Sequence, residues 1–402
     1  MSGYQGSKTD VRSVMIDSSN LDSFGRLRVS NLKSLLEVSH IYNLLPRCMG
    51  LYRQDSGTTI THSSPTAILA IPAISGRKIV HQSHQYTTYL PGKSHLIHMT
   101  GYLGNRTAIS GMGYGDDNDG IFLENTPDGL RIRFSSSTID GQLISQSEWN
   151  IDKLDGTGDS KIALMTNGAY HLIIDFAWLA VGRVRVGFDI GGNVIYAHQF
   201  AFSNTVNTAY MRTGSLPVRW YLESVGAAST MKAICASVSS DGGSDPVGID
   251  HSIARTTSKT TLALLTRTPL ISLRPKLTFN SLTNNVQIIL RNISFLSSSA
   301  DNLFVEIILN GTLTGASFSS VNDDSHAESD QSATAMSGGT TIFNDYVSSN
   351  TRALNNSTPD PNLKDLPLTL SASGVQNTVT ICVTRIENAA NCYAGFNWRE
   401  IR

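Results

Sequence analysis

Apolar and polar residues alternate along most of this chain, and clusters of turn residues separate the alternating runs. Such alternation places successive side chains on opposite faces of a β-strand. The clearest alternating runs cover residues 130–134, 183–188 and 218–223. Residue pairs that favour tight hairpin turns are Asp128-Gly129, Gly191-Gly192 and Asn310-Gly311. The pattern predicts a mainly β protein built from two antiparallel, jelly-roll-like β-sandwiches.

One segment near the start departs from this alternation. Its apolar residues fit a helical stripe roughly, which predicts a short helix within residues 31–45; they are Leu32, Leu35, Leu36, Ile41 and Leu44. The preceding stretch, SFGRLRVSN, predicts an extended arm. An arm without a core of its own is commonly an attachment segment, and a frayed terminus is the alternative. The candidate attachment residues are Phe24, Gly25, Arg26, Leu27 and Arg28.

A chain of 402 residues is too long for one ordinary core. We therefore expect an N-terminal arm at 1–45, a central sandwich domain at 46–240 and a C-terminal sandwich domain at 249–402. The glycine- and serine-rich stretch 239–248 is the expected linker. Residues 318–362 are rich in Ser, Asp, Asn and Thr, which predicts long exposed loops.

The composition excludes several classes of partner. The net charge of −1 supplies no general attraction to nucleic acid or to an anionic membrane. No run of about 18 apolar residues is present, so no membrane insertion is expected, and the polar N-terminus predicts synthesis without a secretory signal. The four cysteines form no CxxC pair, so we expect reduced thiols rather than a metal site.

Two clusters could in principle bind a metal. The first is the loop GMGYGDDNDG, with carboxylates at Asp116, Asp117 and Asp119, but its spacing is not that of an EF-hand and a solvated turn is favoured. The second is a set of four histidines, at 81, 84, 95 and 98. On strands, a spacing of three puts the members of a pair on opposite faces. We therefore expect no metal and no cofactor.

Acidic residues in the central part of the chain could supply a pair of catalytic carboxylates. They are Glu148, Asp152, Asp155 and Asp159. The three aspartates lie in the turn-rich stretch WNIDKLDGTGDS, where Asp commonly hydrogen-bonds the backbone, and Glu148 directly precedes that stretch. No G-x-S-x-G motif is present. The expectation is that the protein is not an enzyme.

The stretch FAWLAVGRVRVGF carries Arg183 and Arg185 between apolar residues. The two arginines could bind a ligand, or they could be the polar side of a packed strand that pairs with Glu223 of a neighbouring strand. Alternation favours the packed strand. The residues expected to form the structural core signature are Trp178, Arg183, Val184, Arg185, Val186, Phe188 and Trp220.

Several blocks together resemble a family of virion structural proteins of tailed bacteriophages. LDSFGRLRVSN resembles the family's N-terminal DAFGRLRVS box, and IDFAWLAVGRVRVGF followed by LPVRW is similar to its central signature. VEIILNGTLTGASF and the terminal NWREIR resemble its C-terminal signature. The chain departs from the family at Ser23, where Ala is usual, and at Ala177 and Ala180, where the family tends to be bulkier or Gly.

The resemblance implies a non-enzymatic component of a virion, made in the host cytoplasm and assembled in the tail, baseplate or fibre, or on the capsid. Its expected partners are other virion proteins and copies of itself. The alternative function is a receptor module of the tail that binds host surface glycans. In that alternative, exposed aromatic side chains such as Trp149 or Tyr114 and the polar segment 318–362 would form the binding surface.

Overall fold

A computed structural model describes residues 21–242, 248–261, 263–298, 302–348, 353–355 and 367–401. Almost all of the regular structure in these residues is antiparallel β-strand, with a single 3-10 turn at Gln146–Glu148. Within them, no helix is long and apolar enough to cross a membrane. The predicted fold class, mainly β with antiparallel sandwiches, is confirmed.

Fifteen strands lie within the described residues 21–242. They are β1 (Leu32–Ser39), β2 (Met49–Gln54), β3 (Thr59–Ser63), β4 (Thr66–Ile71), β5 (Lys78–Ser83), β6 (His95–Tyr102), β7 (Ala108–Gly115), β8 (Gly120–Thr126), β9 (Gly129–Ser135), β10 (Gln142–Ser145), β11 (Ala169–Phe176), β12 (Arg183–Ile190), β13 (Asn193–Ala201), β14 (Val218–Ser224) and β15 (Ser229–Asp241).

These strands form two facing sheets, which we call the first sandwich. Sheet A has the order β13-β12-β11-β6-β15-β4-β3, and β1 also pairs with β15. Sheet B has the order β10-β9-β8-β7-β14-β5-β2. Side chains of both sheets, among them Ile97, Leu172, Ile121 and Trp220, meet in one apolar core. Burial of this core drives the two sheets together.

Fifteen further strands lie in the described residues between 248 and 401. They are β16 (Ile249–Ala254), β17 (Lys259–Thr260), β18 (Arg267–Pro275), β19 (Thr278–Phe279), β20 (Leu282–Thr283), β21 (Gln287–Ser297), β22 (Leu303–Leu309), β23 (Thr312–Thr314), β24 (Ser319–Ser320), β25 (Ala327–Asp330), β26 (Ala335–Ser337), β27 (Thr340–Val347), β28 (Ala353–Asn355), β29 (Val379–Arg385) and β30 (Asn391–Ile401).

These strands form the second sandwich. Sheet C has the order β16-β30-β21-β28 with β17 paired to β30, and sheet D has the order β24-β25-β18-β29-β22-β27. Two short ribbons, β19-β20 and β23-β26, lie beside them. The second core contains Leu273, Leu290, Ile307 and Trp398. The expected exposed loop at 318–362 is wrong for the described part of that segment, which contains β24 to β28.

The helix predicted within residues 31–45 is wrong. Residues Leu32–Ser39 form β1, which pairs with the second half of β15. Leu36 and Val38 are buried while Glu37, between them, is exposed. The segment forms a strand in spite of its helical spacing, because the part of β15 that does not pair with β4 has an unpaired edge to which β1 adds. This part of the expected arm is a strand of sheet A.

Two of the three predicted hairpins are confirmed. β8 and β9 are joined at Pro127-Asp128, and β12 and β13 are joined at Gly191-Gly192. The hairpin expected at Asn310-Gly311 is wrong. The strand before it, β22, pairs with β27 and β29, whereas the strand after it pairs with β26. Asn310 has a φ of 54°, so the chain does turn there, but it leaves sheet D.

Candidate functional site

Residues 21–28, which we call the box, lie folded on the outer face of sheet A. Asp22 organises the box: its carboxylate accepts hydrogen bonds from the backbone N–H of Phe24 at 2.9 Å and of Arg26 at 2.8 Å. Gly25, at a φ of 79°, takes the left-handed conformation that the turn requires. The box is therefore a compact turn held by one buried aspartate.

A buried ion cluster fixes the box to the sheet. Asp175 on β11 forms ion pairs with Arg28 of the box, at 2.6 Å, and with Arg185 on β12. Ser94 donates a hydrogen bond to the same carboxylate at 2.6 Å. The side chains of Asp175 and Arg185 are both 0% exposed. Because a buried charge needs a partner, the three ionic side chains form one unit.

Further contacts link the box to β12. Arg185 donates to the backbone carbonyl of Leu21 at 2.6 Å, and Arg183 donates to the carbonyl of Ser23 at 3.2 Å. Ser23 donates through its hydroxyl to the backbone carbonyl of Asp175 at 2.9 Å, which gives a role to the residue that stands in place of alanine. Sequence alternation placed the two arginines correctly on the face opposite Val184, Val186 and Phe188. It missed that the box covers them.

Burial by itself would raise the pKa of Asp175, but the guanidinium groups of Arg28 and Arg185 outweigh it and hold that pKa below its ordinary value. The cluster is therefore ionic at neutral pH. The pairing predicted between an arginine of β12 and Glu223 is wrong. Those strands lie in different sheets, and Glu223 pairs with Lys78 at 3.2 Å.

The other predicted core-signature residues occupy different environments. Trp220 is fully buried beside His40 and His81. Trp178 is partly buried against the first core and donates to the carbonyl of Met211 at 3.3 Å. Ala180, where the family tends to be bulkier or Gly, has a φ of 63°, a conformation that favours glycine.

A second feature is a cleft between the two sandwiches, which sequence reasoning did not identify. It is a cavity of about 310 Å³. The first sandwich contributes Tyr52, Gln82, His84 and Tyr86, and the second contributes residues 283–285 and 369–374. None of these lining residues is Asp, Glu, Lys or Arg. The described lining of the cleft therefore offers hydroxyl, amide and aromatic groups and no carboxylate, ammonium or guanidinium group.

Buried polar contacts fix the wall of the cleft on the first sandwich. Gln82 accepts hydrogen bonds from the guanidinium of Arg219, one of them at 2.8 Å, and Arg219 also pairs with Asp117. The ring of Tyr52 lies over that guanidinium, 4.6 Å from its carbon. Tyr52 is 40% exposed and lines the cleft. A rigid aromatic side chain at the edge of a polar cavity suits ligand recognition.

Hydrogen bonds across the interface hold the two walls together. The ring Nδ1 of His84 accepts from the backbone N–H of Ala372 at 2.8 Å, and Gln287 donates to the carbonyl of Tyr86 at 2.6 Å. The wall on the second sandwich is itself a tight turn, in which the N–H of Ser371 donates to the carbonyl of Val375 at 2.7 Å. No motif in the sequence points to this site, because its residues come from four separated segments.

The candidate metal ligands are engaged elsewhere. Asp116 accepts from the backbone N–H of Asn118 and Asp119, at 2.8 and 3.0 Å, and Asp119 accepts from Ser137. His95 is buried in the first core, and His98 faces His171 with ring nitrogens 3.0 Å apart. Among the residues that the structure describes, no group of three or more His, Cys, Asp or Glu could hold a metal ion.

The candidate carboxylates stabilise their own loop. Glu148 accepts from the backbone N–H of Ser145 at 3.0 Å, Asp152 accepts from that of Ser160 at 2.7 Å, and Asp155 accepts from that of Thr157 at 2.9 Å. The aromatic side chains expected at an exposed binding surface, Trp149 and Tyr114, are both buried in the first core, so that expectation is wrong.

Comparison with known proteins gives no family. No family model and no curated protein matches the sequence. Among solved structures, the carbohydrate recognition domain of Emp47p is similar over 52% of this chain and 96% of its own, with 13% identity and a TM-score of 0.33. Peanut lectin is similar over 52% and 98%, with 9% identity and a TM-score of 0.34. A laminarinase from Flavobacterium sp. UMI-01 is similar over 51% and 99%, with 10% identity and a TM-score of 0.35.

Proposed function

We propose that this chain is a non-enzymatic carbohydrate-binding protein that holds an uncharged saccharide in the cleft between its two sandwiches. The observation that carries the proposal is the lining of that cleft. A saccharide presents hydroxyl groups around apolar ring faces. The cleft offers amide, hydroxyl and backbone groups that can hydrogen-bond the sugar hydroxyls. It also offers the half-exposed ring of Tyr52, which can pack against the apolar face of a sugar ring.

In the part of the chain that the structure describes, no Asp, Glu, Lys or Arg lines the cleft, and this defines the ligand class that we propose. An ionised ligand group in the cleft would lose hydration without gaining an opposite charge, because His84 is the one titratable cation in the lining. A neutral oligosaccharide carries no ionised group, so its binding does not incur the cost of removing water from a charge. The cavity of about 310 Å³ lies at the lower end of ligand sites, so one or two sugar units would be enclosed.

The test is binding of the whole chain to an array of neutral and acidic oligosaccharides, followed by calorimetry with the neutral sugars that bind. We expect Tyr52→Ala to weaken binding about 3- to 10-fold, which is the usual worth of one aromatic contact. Tyr346→Ala is the matched control, since that tyrosine is exposed on sheet D, away from the cleft. Equal losses in both variants, or selective binding of acidic sugars, would refute the site. Release of reducing sugar would refute the non-enzymatic part.

A second proposal concerns where the protein works: as a component of a tailed-phage virion that assembles with other virion proteins and with copies of itself. The supporting observation is that two of the resembling blocks meet in one buried cluster, Arg28 from the N-terminal box and Asp175 with Arg185 from the central block. If the chain resembles the family along its whole length, we expect the resembling blocks to contact one another and to stabilise the same part of the fold. Saccharide binding and a place in the particle are compatible.

Particle composition tests this second proposal. Mass spectrometry of purified virions should find the chain in stoichiometric amounts, and a map of the particle should locate its two sandwiches. Sedimentation equilibrium of the isolated chain should give an oligomer. A chain that is absent from washed particles would contradict a structural role in the virion.

A further inference from the structure

His84 occupies a junction between the two sandwiches. It follows the last residue of β5 and lines both the cleft and a neighbouring cavity of about 120 Å³, which also contains Pro46, Arg47 and Thr369. The imidazole fits there because residue 50 is glycine. A Cβ at that position would overlap Cε1 of the ring and would lie 3.3 Å from the Cβ of Ala372. The His84 side chain therefore occupies the space that the missing side chain of Gly50 leaves on β2.

The hydrogen bonds of His84 fix its protonation state. The backbone N–H of Ala372 can only donate, so Nδ1 of His84 must accept, at 2.8 Å. The carbonyl of Pro46 can only accept, so Nε2 must carry the proton that is shared with it, at 3.1 Å. Only the neutral imidazole with its hydrogen on Nε2 satisfies both bonds. A second proton on Nδ1 would point at the N–H of Ala372.

Among the described residues, no carboxylate lies near enough to His84 to offset the hydration that its protonated ring loses on burial. The other titratable side chains near the ring are Arg47 from the loop before β2, Tyr52 on β2, His81 on β5 and Tyr86 after β5. The turn 371–375 of the second sandwich contains no titratable residue. Among the residues that the structure describes, no Asp or Glu lines either of the two cavities that His84 lines. Burial lowers the pKa of His84, and its bond to the carbonyl of Pro46 opposes that effect in part.

We propose that His84 is a pH-sensitive latch of the cleft: the neutral ring holds the turn 371–375 against the first sandwich, and protonation releases that turn and weakens saccharide binding. The inference rests on the proposed saccharide site, because the released turn is one of its walls. The latch contribution is complete above the ordinary histidine pKa of 6.5 and is lost as the pH falls below it, since the folded-state pKa is lowered.

Hydrogen–deuterium exchange of the whole chain without any sugar tests the latch itself. After correction for intrinsic exchange, we expect the segment around Ala372 to exchange about 3- to 10-fold faster at pH 5 than at pH 8. His84→Gln should abolish this difference, because a glutamine amide can accept from Ala372 and donate to Pro46 at either pH. His171→Gln is the control, since that half-exposed histidine lies on sheet A and should leave the pH effect unchanged.

Binding of neutral oligosaccharides at pH 8 and pH 5 tests the functional part. The wild-type chain should bind more weakly at pH 5, and the His84→Gln variant should bind equally at both. An exchange rate around Ala372 that depends on pH equally in the wild type and in His84→Gln overturns the latch. Absence of binding to any neutral sugar at pH 8 overturns the proposed function instead, and with it the binding half of this inference.

Discussion

Asp175→Asn removes one charge from the buried cluster and retains the size of the side chain. In the wild type, the carboxylate of Asp175 is shared by Arg28 and Arg185, and it also accepts hydrogen bonds from Ser94 and Tyr196. An asparagine keeps one acceptor oxygen but no negative charge. Arg185, whose side chain is 0% exposed, then loses the carboxylate of Asp175, an anion that offsets its lost hydration in the wild type. The variant should destabilise the first sandwich and loosen the box together.

The magnitude follows from burial. Breaking a buried ion pair by removing one partner costs about 3–5 kcal/mol, which is a large share of the roughly 5–15 kcal/mol by which folded proteins are stable. For a unit of this size, that loss corresponds to a Tm lower by roughly 6–20 °C. The matched control is Asp250→Asn. Asp250 also forms a bidentate pair with an arginine, Arg399, at 2.8 Å, but it is 62% exposed. An exposed pair contributes about 0–1 kcal/mol.

Calorimetry of this 402-residue chain measures the stability of both variants, and limited trypsin digestion reports on the box. Trypsin should cleave after Arg26 or Arg28 much faster in Asp175→Asn than in the wild type, while Asp250→Asn should behave as the wild type. A melting temperature of Asp175→Asn within about 2 °C of that of Asp250→Asn, roughly the effect of 1 kcal/mol, would refute the reasoning. So would a box that stays resistant to trypsin in both variants.

Other substitutions and conditions test the remaining packing. The stability of the first sandwich should fall as the pH is lowered from 6.5. Burial lowers the pKa of His81 to about 3, so the unfolded chain binds the proton more readily than the folded chain. The free energy of unfolding, measured by chemical denaturation, should fall by up to about 1.4 kcal/mol per pH unit through this histidine alone. Gly111→Ala should cost about 1–3 kcal/mol, since a Cβ there would overlap the ring of Tyr221, and an unchanged denaturation midpoint would contradict this packing. Val186→Asp should prevent folding of the first sandwich, whereas Arg183→Ala should be mild because that side chain is half-buried and contacts the carbonyl of Ser23; thermal melts in the reverse order would show that the strand faces are assigned wrongly.

Period-two alternation was sufficient to predict the sandwiches and the inward face of β12, because one face of that strand is apolar throughout. It could not predict that Arg185 is buried on the other face. That burial depends on a box about 160 residues earlier in the chain, and no local pattern encodes the contact. The hairpin signal of Asn310-Gly311 failed for a related reason: the dipeptide specifies a turn, but the partner of the following strand is set by distant residues.

The cleft was beyond prediction for a geometric reason. Its lining residues come from two sandwiches and are individually ordinary polar residues, so their convergence exists only in three dimensions. In the sequence, His84 is one of four closely spaced histidines and is therefore a candidate metal ligand. Its position next to Ala372 of the other sandwich depends on the absent side chain of Gly50, which composition and spacing do not reveal.

The buried cluster also has a consequence for the order of events during synthesis. Arg28 pairs with Asp241 at 3.3 Å, and Asp241 is synthesised 213 residues after Arg28. At about 5–20 residues per second, the nascent chain exposes the box for roughly 10–40 s before its docking site is complete. The last strand of sheet A therefore closes the first sandwich and captures the box in one step. A ribosome that stalls before residue 241 would hold a chain whose N-terminal arginines are still free to bind something else.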